Sequence, residues 1–342
     1  MMRFSDQKLR ILFFRTPGNA APNVITGFYD AAVNSIEIKN AGYQIFIVDI
    51  KSTDDTSEKV ANILIKSLVE FNPNVVIFYG FFYLSPEGTL DIISFLNNKN
   101  IVTCGLWYDD CYKFIKQLND KSIAVDSLKK LYNNIFVSDR IWKEELKTAE
   151  NIEACLLRLA FNDVSTPLRN IPDKYDYDIS FIGIIDQKRF DLLSGINKKY
   201  KIDIWGQAPA EILNRFPKNM IFHGRADYVD EAPVIYNTSK INLNFSMPQL
   251  ITAVSQRIYD IPGNGGFVLP DFKEDLYEIF GDNAVFFMDN EDLNKKIDFY
   301  LNNENHRIQY IHYSQNIIRN YHTYLIRFSE ILYFLDKKYL AI

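Results

Sequence analysis

Two rhythms of apolar and polar residues run along the chain. Short apolar runs are separated by stretches in which apolar positions recur at helical spacing. The runs predict strands at Ile11–Phe14, Gln44–Asp49, Val75–Tyr79, Ile101–Trp107 and Ile135–Ser138. A second set is predicted at Ile179–Ile184, Ile202–Trp205, Met220–His223, Ile241–Phe245, Phe267–Leu269 and Ala284–Met288. Many of these runs are continuous rather than alternating, as expected of strands covered by helices on both faces. Strands alternating with helices predict parallel sheets joined by right-handed crossovers.

The rhythm breaks once. A helical stretch ending near Leu159 is followed, from Phe161 to Asp176, by two prolines and several turn formers without periodicity, the mark of a linker. The expectation is therefore an α/β protein of two doubly wound domains, residues 1–165 and 166–319. A long helical stretch, roughly Glu304 to Lys338, closes the chain. It lacks Pro and carries Ile308, Ile311, Ile318, Leu325, Phe328 and Leu332 at helical spacing. Ligands of doubly wound sheets bind outside the carboxyl ends of the strands, so a cleft between the domains is the expected site.

Composition narrows the functional classes. A length of 342 residues fits two domains, and 47% hydrophobic with 24% charged residues is ordinary globular usage. The high aromatic content, 26 Phe and 21 Tyr, reads first as core packing. A net charge of -5 argues against a nucleic-acid partner held by a general basic field. Cys104, Cys111 and Cys155 form no disulfide framework and suit a reducing cytosol. The N-terminus lacks the apolar run of a signal peptide, and no run is long enough to span a membrane. A cytoplasmic location is expected, with peripheral membrane contact left open.

The most informative stretch is Arg257-Ile-Tyr-Asp260-Ile-Pro-Gly-Asn264-Gly265-Gly266-Phe-Val-Leu-Pro270. It reads as a helix, a glycine turn and a short buried strand. Arg257 and Asp260 share one face. A phosphate suits the cation and a turn whose N–H groups a ligand can approach closely; a sugar hydroxyl suits the carboxylate. The combination points to a nucleotide-diphosphate ligand. The plainer roles are a solvated arginine, an exposed carboxylate and glycines that end a helix.

Other candidates sit at predicted strand ends. Gly183 with Lys188 and Arg189 joins a strand to a helix N-terminus, an anion-binding geometry. Trp205-Gly206 and His223-Gly224 end strands on the same edge, where packing is the plainer role. Tyr236, Asn242 and Asn244 lie near another strand, with both amides on one face, and a structural network is the default. Gly18 and Asn19 follow the first strand in a Pro-Gly turn. Asp109 and Asp110 follow the fourth, where one carboxylate suits a general base and the other a helix N-cap. Asp176-Tyr-Asp178 is a D-x-D string read as turn chemistry, and no His or Cys cluster has metal-ligand spacing.

Four segments in order resemble CgeB-like, spore-maturation-protein-like glycosyltransferases. Asp178-Ile-Ser-Phe-Ile-Gly183 with Arg189 resembles the opening of their second domain. His223-Gly224, Ile235-Tyr236 and Ser239-Lys240-Ile241-Asn242-Leu243-Asn244 form the next match. Arg257-Ile-Tyr-Asp260 with Gly265-Gly266 resembles their R-x-F-E…G-G segment, with Asp in place of Glu. His322-Thr323-Tyr324 with Arg327 resembles their closing motif. The likeness covers most of the second half and is thin in the first. Eight positions before Asp260, where many related retaining enzymes carry Glu, stands Thr252.

The resemblance implies a GT-B fold, related to the group 1 glycosyltransferases, with a C-terminal helix (about 320–342) returning to the first domain. It implies sugar transfer from a nucleotide-diphosphate sugar to an acceptor hydroxyl, with no metal or other cofactor and with retention of configuration. The donor side would be Gly183, Lys188, Arg189, His223, Gly224, Tyr236, Asn242, Asp260, Asn264, Gly265 and Gly266. Arg257 would stabilise the leaving diphosphate, with Asp109 or Asp110 as base and Gly18 and Asn19 toward the acceptor. A nucleotide-sugar 2-epimerase of the same architecture and a non-catalytic binding protein of this fold are the alternatives.

Overall fold

The structure is a computed structural model that describes residues 9–15, 22–49, 57–79, 86–108 and 132–340. The chain divides into two compact units. The first comprises Met1–Leu159, Ile251–Ala253 and Tyr324–Ile342; the second comprises Ala160–Leu250 and Val254–Thr323.

The first unit holds β1 (Arg10–Arg15), α1 (Pro22–Asn34), α2 (Ile36–Asn40), β2 (Gln44–Asp49), α3 (Ser57–Phe71), β3 (Val75–Tyr79), α4 (Pro86–Asn98), β4 (Val102–Trp107), β5 (Asn134–Val137), α5 (Arg140–Glu150) and β6 (Ala154–Leu156). Its sheet is parallel throughout, in the order β2-β1-β3-β4-β5-β6. Every residue of β4 and β5 is buried, which explains their unbroken apolar character. In α1, Gly27 makes room for an aromatic ring: a Cβ there would lie 2.0 Å from the Tyr324 ring, which also packs 4.8 Å from that of Phe28. That contact ties the final helix of the chain to this unit.

Asp139 N-caps α5 and does more. Its Oδ1 accepts from the Ile141 N–H (2.9 Å) and the Thr252 hydroxyl (2.8 Å). Its Oδ2 accepts from the N–H groups of Ile251, Thr252 and Ala253 at 2.8, 3.0 and 3.1 Å. Burial alone would raise this carboxyl, but the converging N–H and O–H groups together hold it below its ordinary value.

The second unit holds β7 (Tyr177–Ile184), α6 (Gln187–Ser194), β8 (Ile202–Gln207), α7 (Ala210–Leu213), β9 (Met220–Phe222), α8 (Ala232–Thr238), β10 (Ser239–Asn244), α9 (Arg257–Gly263), β11 (Val268–Pro270), α10 (Asp275–Phe280), α11 (Asn290–Asn302) and α12 (Glu304–Tyr321). Its sheet is also parallel, in the order β11-β10-β7-β8-β9. One face, with Ile179, Phe181, Ile202, Ile204, Ile241 and Leu243, belongs to a closed apolar core that takes in Leu193 of α6, Ile297 of α11 and Ile311 of α12. The alternate positions Ser180, Asn242 and Asn244 put polar groups on the opposite face.

Three expectations need correction. Ala154–Leu156, read as helical, is a strand: Asn151 adopts a left-handed conformation (φ 49°) that ends α5, and the three residues pair with β5. Ala284–Met288 is not a strand and makes one bridge, Phe287 to Asp271; its apolar character serves to bury Phe287. The closing helical stretch is two helices, α12 and α13 (Tyr324–Tyr339). Between them the Phe161 N–H donates to the His322 carbonyl (2.8 Å) and Phe161 bridges Thr323, so extended pairing replaces the helix.

Candidate functional site

The carboxyl edge of the second sheet collects arginines and glycines. β10 ends at Asn244, a dozen residues before Arg257 opens α9. In a parallel sheet the helix that follows a strand begins at that strand's carboxyl end, which returns Arg257 to the end of β10. Its Nε donates to Asn244 Oδ1 at 3.0 Å, and Ser255 Oγ donates to the same oxygen at 2.9 Å. A Cβ on Gly183, near the end of β7, would sit 3.6 Å from Arg257 Nη1, in ordinary contact.

Arg189 comes to the same edge from α6. It is 3% exposed. Nη1 donates to the Ile184 carbonyl (2.8 Å) and Nη2 to the Phe245 carbonyl (2.7 Å), while Nε has no partner. Among the described residues no carboxylate lies within ion-pair distance of Arg189 or Arg257. Burial, and then the neighbouring charge of Arg257, pulls the Arg189 guanidinium below its ordinary value. The charges of Asp186 and Asp271 act the other way without overcoming this, and an anion bonded to the two guanidiniums would offset the cost.

Glycines stand next to last in two strands, Gly183 in β7 and Gly206 in β8, and Gly224 follows β9; the Gly206 N–H donates to the Gly224 carbonyl at 2.7 Å. Gly206 has φ 137°, and a Cβ there would meet the Gly183 carbonyl oxygen at 1.9 Å. Gly224 has φ 83° and open space beside it. The sequence reading passed over Arg225, which follows directly and is exposed. Turned so that its oxygen faces outward, the Gln207 amide accepts from the Arg225 guanidinium.

The remaining expected donor-side residues divide by place. Tyr236, 2% exposed, has a hydroxyl without a partner, pushed well above its ordinary value by burial, with the charge of Arg257 acting the other way. Asn242 serves the fold: its Nδ2 donates to the Tyr236 (2.9 Å) and Phe267 (3.1 Å) carbonyls, and its Oδ1 accepts from Ser180 Oγ (2.8 Å). His223 Nε2 bonds Asp203 Oδ1 at 2.7 Å, and its ring stacks on Trp205 at 4.4 Å. Lys188 is exposed. The helix end beside it is capped by Asp186, whose Oδ1 accepts from the Arg189 N–H at 2.9 Å.

The glycine turn lies elsewhere than its sequence neighbours suggest. α9 runs back across the sheet, so Asn264, Gly265 and Gly266 precede β11 at the amino edge, about 10 Å along a seven-residue helix from Arg257. Gly265 (φ 77°) and Gly266 are buried; Cβ atoms there would meet the Arg169 carbonyl at 2.9 Å and the Tyr236 carbonyl at 2.4 Å. The Asn264 carbonyl accepts from Asn237 Nδ2 (3.1 Å) and its side chain donates to the Asp260 carbonyl (2.8 Å). These glycines close a helix against packed chain. Asp260, expected to face ribose, is 4% exposed and accepts from Gln256 Nε2 at 2.8 Å.

Asp178 of the D-x-D string pairs with Lys240 at 2.6 Å, also at the amino edge. Gly18, Asn19, Asp109 and Asp110 lie outside the described residues. Among the described residues no group of three or more His, Cys, Asp and Glu side chains is arranged to hold a metal ion, and no helix is long and apolar enough to cross a membrane.

Residues 189–333, which include both arginines, match the family model described as glycosyl transferase-like. A search of curated proteins gives no match. Among solved structures the chain is similar to sucrose-phosphate synthase from Thermosynechococcus elongatus, at 10% identity and a TM-score of 0.66, covering 97% of this chain and 100% of that one. It is similar to Anabaena HepE in complex with UDP and glucose, at 10% identity and a TM-score of 0.65, covering 96% and 99%. It is also similar to UDP-GlcNAc 2-epimerase from Neisseria meningitidis bound to UDP-GlcNAc, at 14% identity and a TM-score of 0.52, covering 96% and 100%. These likenesses define the class of fold: two Rossmann-like units of GT-B type. Within that class, the part of the chain carrying the arginine edge is the part that matches the glycosyl transferase-like family.

Proposed function

We propose that this protein is a glycosyltransferase that moves a hexose-type sugar from a nucleotide-diphosphate sugar to an acceptor hydroxyl, with retention and without a metal. The observation that carries the reading is the pair Arg189 and Arg257 at the carboxyl edge of the second sheet, neither bonded to a carboxylate. A diphosphate supplies the bonded anion that neither guanidinium has. In the reaction the bond from the sugar C1 to the phosphate oxygen breaks and its electron pair leaves with the diphosphate, while the acceptor oxygen bonds C1 and gives up its proton to the departing diphosphate. Arg257, half-exposed beside Gly183, meets that growing charge, and buried Arg189 strengthens the field behind it. The open space beside Gly224 leaves room for a ligand at this edge. The family match and the UDP, glucose and UDP-GlcNAc in the similar structures support the same chemistry.

The test is a thermal-shift panel of UDP, GDP, ADP, CMP and dTDP, with magnesium and with EDTA, followed by incubation of the matching sugar nucleotide with and without acceptor extracts. One diphosphate should raise the melting temperature equally in both media, and product should require acceptor. A rise that needs magnesium refutes the metal-free mechanism. An isomerised sugar nucleotide formed from donor alone refutes the transferase in favour of the epimerase.

A further inference from the structure

The Tyr236 hydroxyl is out of place for a structural tyrosine. Its ring packs at 2% exposure on α8, and its main-chain carbonyl is engaged by Asn242, yet the phenol oxygen has no hydrogen-bond partner. A buried hydroxyl ordinarily finds one, because leaving it unmade costs roughly 1–3 kcal/mol. α8 starts at the carboxyl edge and ends where β10 begins. Helical side chains lean toward their own N-terminus, so the phenol leans toward the arginine edge. The charges of Arg257 and of Asp260 both act on the phenol, in opposite senses, in keeping with that placement.

Two further buried donors around Arg257 are equally without acceptors: Asn244 Nδ2, on the residue whose Oδ1 holds Arg257, and Arg189 Nε. The unmatched groups here are therefore donors gathered round one arginine. An internal water donates as much as it accepts and cannot satisfy such a set alone. A polyanionic oxygen cluster can.

We propose that Tyr236 is a ligand-binding residue whose hydroxyl donates to an anionic oxygen of the group held by Arg257. The assignment rests on the diphosphate reading above and adds a contact to it. Burial keeps the phenol protonated at neutral and alkaline pH, so the hydroxyl remains a donor and takes no part as a base.

The variant that tests this is Tyr236→Phe, which keeps the ring and removes the one unsatisfied atom. Two readouts separate a ligand contact from a structural one. Without ligand, Y236F should melt at or above the parent temperature, since nothing internal bonds the hydroxyl. In calorimetric titration with UDP and with inorganic pyrophosphate, its affinity should fall roughly 10- to 100-fold, the loss expected for one bond to a charged acceptor. Uridine, which has no phosphate, should show no difference between the two proteins. A clear drop in the ligand-free melting temperature means the hydroxyl has an internal partner and overturns the proposal. Equal affinities for UDP in parent and variant overturn it as well while leaving the nucleotide reading intact. A parent that binds none of the diphosphate panel refutes the nucleotide reading itself.

Discussion

Replacing Arg257 by Ala should abolish most of the stabilisation by a nucleoside diphosphate while hardly changing the free protein. A guanidinium carries five N–H donors. Arg257 uses Nε internally, toward Asn244 Oδ1, and its terminal nitrogens have no partner among the described residues. In the ligand-free protein the substitution therefore removes one hydrogen bond. Asn244 Oδ1 keeps its bond from Ser255, so the cost should stay near ~1 kcal/mol. With ligand the loss is one or two charge-assisted bonds, about 1.5–3 kcal/mol, or about ten- to 150-fold in affinity. At a UDP concentration of about 100 times Kd the parent gains about 2.7 kcal/mol. A variant weakened about 30-fold sits near three times its own Kd and gains only about 0.8 kcal/mol. The missing ~1.9 kcal/mol corresponds to a shift smaller by roughly 4–8 °C for a unit of this size. Arg257→Lys should fall between, because it restores charge without the fork. The assay is differential scanning fluorimetry across a UDP titration, with calorimetry for Kd. An R257A protein that keeps the parent's UDP-induced shift refutes the placement of the diphosphate.

Other substitutions test the surrounding structure. Asp139→Asn turns one acceptor oxygen into a donor facing N–H groups, and should cost about 3 kcal/mol at neutral pH in urea unfolding followed by tryptophan fluorescence. Because the folded carboxyl titrates below its unfolded value, its contribution is whole above the ordinary carboxylate range and is lost as pH falls through the folded value; the parent and D139N curves should converge in acid. Gly206→Ala meets the Gly183 carbonyl and a backbone at φ 137°, so the melting temperature should collapse, whereas Gly224→Ala, with open space, should cost only about 1–2 kcal/mol. Gly265→Ala should lower the melting temperature yet leave the UDP affinity of the folded protein unchanged; a weakened affinity would return the turn to the ligand site.

The sheets were legible in the sequence because their strands are covered on both faces: runs such as Val75–Phe78 and Ile135–Val137 have no solvent side to interrupt them. Ala154–Leu156 was not, since three residues carry too little periodicity to tell strand from helix. The break at His322–Thr323 was hidden because its cause is a distant residue, Phe161. Arg189 was legible as a cation after a glycine, but its burial was not, for its two carbonyl partners belong to different strand ends. Asp139 looks in sequence like an ordinary N-cap. The N–H donors that make it exceptional lie more than a hundred residues further on.

The division of the Arg257–Pro270 segment follows from chain direction alone. In a parallel sheet each crossover helix must carry the chain from the carboxyl edge back to the amino edge before the next strand begins. Residues opening α9 therefore face the ligand edge, and those closing it face the opposite one. A motif that spans such a helix holds two separate requirements. Arg257 opens α9 at the carboxyl edge, and Gly265-Gly266 belong to the tight entry into β11, where a carbonyl from α8 leaves no room for a Cβ. Adjacency in sequence joined them into one site; the direction of α9 separates them. The same reasoning turns attention to the beginnings of helices and the ends of strands, where Gly183, Asn244 and Arg189 lie near Arg257.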